Sequence, residues 1–267
     1  MSGWEKLGGV ASRELAEARL QLHWASQLLA AAASSLVPAK PDDSHTALTC
    51  LVERSMIVSA PTDTTPTRRV ALSLPDLRLA VLDEELGDVD AISLDGKTLE
   101  GGLDWLRAEF AGSVLQRPSY DMPHHPIQDG TAFRCERPEA FNELALWFKN
   151  AAHVLRSLDI GDDLCWPHHF DLAALVTIGS GDTKTIGVGV SPGDSSYDEP
   201  YWYVAPWPHP AARDLPELPL GHWHTEGFVA AILTGSDIMA EGDPAGQGAK
   251  VDAFLSATIS GSRKLLQ

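Results

Sequence analysis

The sequence predicts an α+β fold, an antiparallel sheet covered by helices. Three observations carry this. Two long segments place apolar residues at helical spacing. The β-rich runs that follow each are separated by tight turns, not by further helices, which favours antiparallel pairing. The order helix, strands, helix occurs twice, as expected of two diverged helix–strands–helix halves forming one domain. The halves are 1–116 and 137–267, and 117–136 is the connecting loop.

The first helix is predicted over Ser12–Leu36. Leu15, Leu22, Leu29 and Leu36 recur every seven residues, with Ala18, Ala25 and Ala32 between them. This is one apolar stripe, so one helix face is expected to lie on a sheet. Ser12 is the candidate N-cap, and Pro38 lies just past the end. Pro41-Asp42-Asp43 is a turn. Strand character follows in 45–59, 69–74 and 77–82, with the turn Ser73-Leu74-Pro75-Asp76 between the last two. Asp95-Gly96 marks another turn, and 101–111 reads as a short helix carrying Leu103, Leu106 and Phe110.

Residues 117–135 hold three prolines and read as irregular. The pair His124-His125 inside them is expected at the surface. Pro138 then opens the second long helix as an N1 proline, with Glu139 suited to the helix dipole. Phe141, Leu144, Phe148, Ala151, Leu155 and Leu158 form its stripe, and Gly161 is the candidate C′ residue. Strands are predicted over 170–178, 185–191 and 201–205, with a turn at Gly179-Ser180-Gly181-Asp182 and an acidic loop at 192–200. Thr225 is expected to cap a helix reaching about Leu233. A last helix is expected over 248–266.

Of the residues, 44% are hydrophobic, enough for a sizeable core. The net charge of −17 disfavours nucleic acid and anionic membrane surfaces, both of which are bound through Lys and Arg. No segment reaches the roughly 18 apolar residues of a membrane span. The first residues lack the basic and apolar regions of a secretory signal. Cys50, Cys135 and Cys165 are odd in number and widely spaced, as expected of reduced thiols in a cytoplasmic protein.

Chemistry concentrates in two clusters holding four of the ten histidines: Trp166-Pro167-His168-His169-Phe170-Asp171 and Gly221-His222-Trp223-His224-Thr225-Glu226. Imidazole with carboxylate suits a divalent metal or an acid–base pair. On an extended strand His169 and Asp171 share one face, and His168 takes the other. His222, His224 and Glu226 group likewise if their segment is extended. The candidate metal ligands are therefore His169, Asp171, His222, His224 and Glu226, converging on one ion. The plainer alternative is a polar network holding loop to sheet. His23 and Gln27 lie one helical turn apart and can reach a pocket. With His168, Tyr201 and Tyr203 they form the candidate ligand-binding set, the tyrosines offering apolar area with a polar tip. The P-loop, H-E-x-x-H and G-x-S-x-G signatures are absent from the sequence.

Leu22-His23 with Gln27, the Trp166–Asp171 run, and Tyr201-Trp202-Tyr203 before Pro206 together resemble a family of uncharacterised bacterial proteins that carry a domain of unknown function. The Trp-Pro-His-His-Phe-Asp run is the most specific element. The resemblance spans most of the chain. It implies a bacterial, soluble, cytoplasmic protein and brings no activity with it.

Two functions fit these residues. One is a His/Asp-lined cleft holding a divalent metal, zinc or iron, that hydrolyses or isomerises a small metabolite. The other is a non-catalytic small-molecule binding or assembly module with structural histidines. Both have a small-molecule partner, with no nucleic acid and no membrane. Catalysis and oligomeric state stay open at this level.

Overall fold

Helical and extended segments alternate as an α+β fold in the computed structural model, which describes residues 3–179 and 183–267. The helices are α1 (Ala16–Leu36), α2 (Leu99–Glu109), α3 (Pro138–Leu158), α4 (Gly235–Met239) and α5 (Pro244–Leu265). The strands are β1 (Leu48–Leu51), β2 (Met56–Val58), β3 (Arg69–Ser73), β4 (Arg78–Leu82), β5 (Asp88–Ser93), β6 (Leu164–Trp166), β7 (Asp171–Thr177), β8 (Thr185–Ser191), β9 (Tyr201–Trp207), β10 (His222–His224) and β11 (Ala230–Thr234). Among the described residues, no helix is long and apolar enough to cross a membrane.

The chain forms two compact units, and their boundaries differ from the expected halves. The first unit is Glu14–Ala145 with Leu164–Phe170. The second is Met1–Arg13, Leu146–Asp163 and Asp171–Gln267. The expected connecting loop, 117–136, thus lies inside the first unit. The division falls within α3 and again between β6 and β7.

In the first unit the strands run β6-β1-β2-β3-β4-β5, each antiparallel to its neighbour. Alternation along them puts Met56, Val58, Ala71, Ala80 and Leu82 on one face, where they form a buried cluster. Helix α1 packs on β3 and against α2. It is buried over all of Gln21–Ala33, so the one-sided stripe expected of it is a correction. The run Ala30–Ala33 explains this. Side chains that small let neighbours close around the whole circumference, and a helix apolar all round is a buried helix. Ser12 does not cap α1. A 3₁₀ turn over Ser12–Leu15 precedes the helix, and the Ser12 hydroxyl instead donates to Glu199 Oε2 at 2.9 Å within the second unit.

In the second unit the order is β10-β11-β9-β8-β7, again antiparallel. One face carries Val188, Val190, Trp202, Val204, Ala231 and Leu233, all nearly inaccessible. Helix α5 packs on β8, β9 and β11, and its Phe254 lies against Gly221 beside β10. Asp243 caps α5 through Ala245 and Gly246 N–H, and Pro244 takes the first turn, where no N–H is missed. The opposite face carries Tyr201, Tyr203, His222 and His224 above the small residues Ala173, Gly187, Gly189 and Ala205.

Other expectations are corrected. Thr225 caps no helix: 225–229 is a bend, and β11 follows it. The left-handed residue ending α3 is Asp159, with Gly161 a second positive-φ position beyond it. Strands β5, β6 and β11 arise where no strand was expected, and β10 is the extended alternative for His222–His224. Residues 180–182 of the expected turn lie outside the described residues.

Candidate functional site

The run Trp166–Phe170 is a turn, not the start of a strand. The Trp166 carbonyl accepts from the N–H of His169 at 3.1 Å and of Phe170 at 2.7 Å. Phe170 takes a left-handed φ of 57°. The alternation that paired His169 with Asp171 therefore does not apply, because β7 begins only at Asp171. In this turn the histidine rings lie side by side, with centroids 4.2 Å apart.

His23 and Gln27 of α1 reach this turn. The Pro167 carbonyl accepts from His23 Nε2–H at 3.0 Å and from Gln27 Nε2–H at 2.7 Å. The His23 ring also stacks on Phe170, with centroids 5.4 Å apart. All three residues are buried. Burial is the main cause lowering the His23 pKa to about 4. The hydrogen bond to Pro167 opposes the shift, and the charges of Arg19, His169 and His168 add to it. His23 is thus a neutral donor at pH 7, with its proton on Nε2. This pair is a structural clamp on the turn.

A cavity of about 680 Å³ opens in the same unit. It is lined by Ser34 and Ser35 from the end of α1, by Asp43, His45 and Thr46, and by Val114 and 116–120 around the start of the connecting loop. Its Tyr120 lies 5.4 Å from the His168 ring, so the cavity abuts the histidine turn. The His168 pKa is lowered by burial first, then by His169. His45 is buried. Its Nδ1 accepts the Lys40 N–H at 3.2 Å, which leaves the proton of the neutral ring on Nε2. Ser35 Oγ accepts from Gln116 N–H at 3.0 Å and so keeps its own proton to donate. The Arg117 guanidinium lies over the Trp24 ring, 5.9 Å from its centroid. Neither Asp43 nor Arg117 enters an ion pair among the described residues. In the sequence His45 offers nothing specific and the hydroxyl-bearing end of α1 carries no signal, because nothing in local spacing announces a cavity built from three separated segments. His125, expected at the surface, is buried: its Nδ1 accepts from Ile127 N–H and its Nε2 meets Glu17.

The second unit gathers the other candidates. Tyr203 donates to Asp171, and Tyr201 donates to Asp194. Tyr197, in the loop before β9, places its hydroxyl 2.9 Å from His222 Nε2 and 3.1 Å from His224 Nδ1. His224 Nε2 lies 2.6 Å from the Glu226 carbonyl, which can only accept, so this nitrogen carries the proton and Nδ1 is bare. Directions follow. His222 Nε2–H donates to Tyr197, and Tyr197 O–H donates to His224. Burial, then Asp194, raises the Tyr197 pKa. The same causes, in the same order, hold Tyr201 far above the ordinary phenol value.

The expected ligands are thus distributed as follows. His169 lies in the first unit. Asp171, His222, His224 and Glu226 lie in the second, where Asp171 serves Tyr203 and the two histidines meet at Tyr197. Glu226 contributes its carbonyl to His224. Among the described residues, no group of three or more His, Cys, Asp or Glu side chains is placed to hold a metal. No family model, curated protein or solved structure matches the chain.

Proposed function

We propose that the chain is a binding module for a small polar metabolite, taken in the first unit's cavity, and that the Trp166–Phe170 turn is part of the wall that shapes it. The observation that carries this reading is that Arg117 and Asp43 line one cavity and neither enters an ion pair among the described residues. At about 680 Å³ the space suits a metabolite-sized ligand. Arg117 and His45 Nε2–H offer donors to a carboxylate or phosphate. Asp43 accepts from a hydroxyl or an amine. Ser34, Ser35, Ser119 and Tyr120 supply adaptable hydrogen bonds. A ligand with an anionic end and a donor end, such as a free amino acid or a sugar phosphate, satisfies this set.

A non-catalytic role is favoured because the buried histidines of this unit are already engaged. His23 holds a backbone carbonyl, and His45 accepts the Lys40 N–H. The test is a thermal-shift screen with amino acids, small carboxylates and sugar phosphates at millimolar concentration. At least one compound is expected to raise the melting temperature, and Arg117→Ala should remove that rise. A screen without any shift, or a shift that survives Arg117→Ala, overturns this assignment.

A further inference from the structure

We propose that Tyr197, His222 and His224 form a binding site for one divalent transition-metal ion of the zinc class. The site lies wholly in the second unit and does not depend on the cavity reading. Two imidazole nitrogens already meet one phenolic oxygen. The Tyr197 oxygen is 2.9 Å from His222 Nε2 and 3.1 Å from His224 Nδ1. In a tetrahedral site with bonds of about 2.0–2.1 Å, neighbouring ligand atoms stand about 3.3 Å apart. Each oxygen–nitrogen separation needs to open by only a few tenths of an ångström to match that spacing.

The surroundings are those a ligating histidine requires. His224 presents a bare Nδ1 because its far nitrogen donates to the Glu226 carbonyl at 2.6 Å. That outer hydrogen bond fixes tautomer and ring orientation. The His224 ring is also held by Phe228, stacked at 4.2 Å. Tyr197 is positioned by its own loop: the Asp194 carboxylate accepts from the N–H of Ser196 and Tyr197, and Asp194 N–H donates to the Tyr197 carbonyl. Strand β10 is at the sheet edge and His222 is exposed, so the fourth position faces water.

Two protons must move. His222 exchanges its Nε2 proton for one on Nδ1, both through solvent, and stays neutral. Tyr197 releases its hydroxyl proton to water as its oxygen takes the ion, whose charge must outweigh the burial and the Asp194 carboxylate that favour the neutral phenol. Asp194 and the chain's net charge of −17 attract the cation. Imidazole with a phenolic oxygen suits zinc, and also cobalt as its spectroscopic substitute.

The test uses the full chain without a histidine tag. Titration with zinc chloride at pH 7.5 should give one ion per chain. Cobalt should give the visible absorption of tetrahedral coordination on the wild-type protein, a readout that needs no variant. His224→Ala should weaken zinc binding by about 100-fold and Tyr197→Phe by about 10-fold, at or above the usual loss on damaging a site's outer contacts. His209→Ala should leave affinity unchanged. Circular dichroism verifies that each variant is folded. Binding should weaken as pH falls, because protons compete with the ion for the same ring nitrogens. Wild-type protein that takes up no zinc and shows no tetrahedral cobalt band overturns the proposal. So does zinc affinity that survives in folded His222→Ala and His224→Ala.

Discussion

His23 and His222 are both imidazoles donating through Nε2 to an oxygen, and they do opposite work. His23 sits within α1, nearly inaccessible, its ring against Phe170 and its proton on the Pro167 carbonyl. His222 sits on the edge strand β10, open to water, and donates to a tyrosine. The same hydrogen bond costs far more to break in the first setting. There no water replaces the lost donor and only Gln27 still serves the carbonyl, whereas solvent repairs the second. Burial, not residue type, separates a histidine that holds the fold from one that is free to serve a ligand.

The comparison breaks first at His23. Truncation to alanine removes a stacked ring from a closed core and one of two donors from Pro167. His23→Ala should cost about 3 kcal/mol in denaturant unfolding, combining cavity and hydrogen-bond losses. Gln27→Ala should cost less, because His23 still serves the carbonyl. The double variant should cost more than the sum, since only then is the acceptor orphaned. Strict additivity would show that the two donors do not share that carbonyl.

The same contrast has a pH signature. His23 has its pKa lowered from 6.5 to about 4 by burial. The unfolded chain therefore binds a proton that the folded chain refuses between those values. The His23 contribution is fully present above pH 6.5 and is lost as pH falls towards 4, amounting to about 3 kcal/mol. His23→Gln keeps a donor but cannot titrate. The difference between wild-type and variant stability should shrink by that amount across the window. A difference independent of pH would mean that His23 protonates in the folded protein at its ordinary value.

Which parts of this were legible in the sequence depends on the range of the cause. Helices α1 and α3 were readable because a stripe of leucines or phenylalanines is a local pattern. Strands β8 and β9 were readable from Thr, Val, Tyr and Trp between turn residues. Strand β10 was not: three residues, His222-Trp223-His224, become a strand only because β11 pairs with them. The clustering of His222 with His224 is legible from their spacing, but their partner Tyr197 lies 25 positions away from His222, beyond any local pattern. His169 and Asp171 were misjudged because alternation presumes a strand, and the Phe170 left-handed turn interrupts it. His23 and Gln27 were expected to reach a pocket. They reach the backbone of the very run that was singled out beside them.

Asp171 offers an intermediate case. Tyr203 donates to it from β9 on the same face of the sheet, and both are half-buried. Tyr203→Phe should cost about 1–2 kcal/mol, the loss of a hydrogen bond to a carboxylate. Asp171→Asn should cost a similar amount, because the amide oxygen still accepts from Tyr203 but the charge is gone. Zinc binding should be unchanged in both variants, since neither residue belongs to the Tyr197 cluster. A fall in metal affinity for Asp171→Asn without loss of stability would move Asp171 from fold support to ligand.

The smallest expected effect is at His222. Its ring is exposed, its strand has only three residues, and water can take its place on the Tyr197 oxygen. His222→Ala should change stability by no more than about 0.5 kcal/mol, the ordinary range for a surface substitution. His224→Ala should cost somewhat more, because that ring also stacks on Phe228 and donates to the Glu226 carbonyl. Side-by-side urea unfolding of His23→Ala and His222→Ala on otherwise identical chains measures the contrast directly. A loss at His222 equal to that at His23 would mean that the edge of this sheet is as closed to water as the core around α1, and that the two histidines do the same work after all.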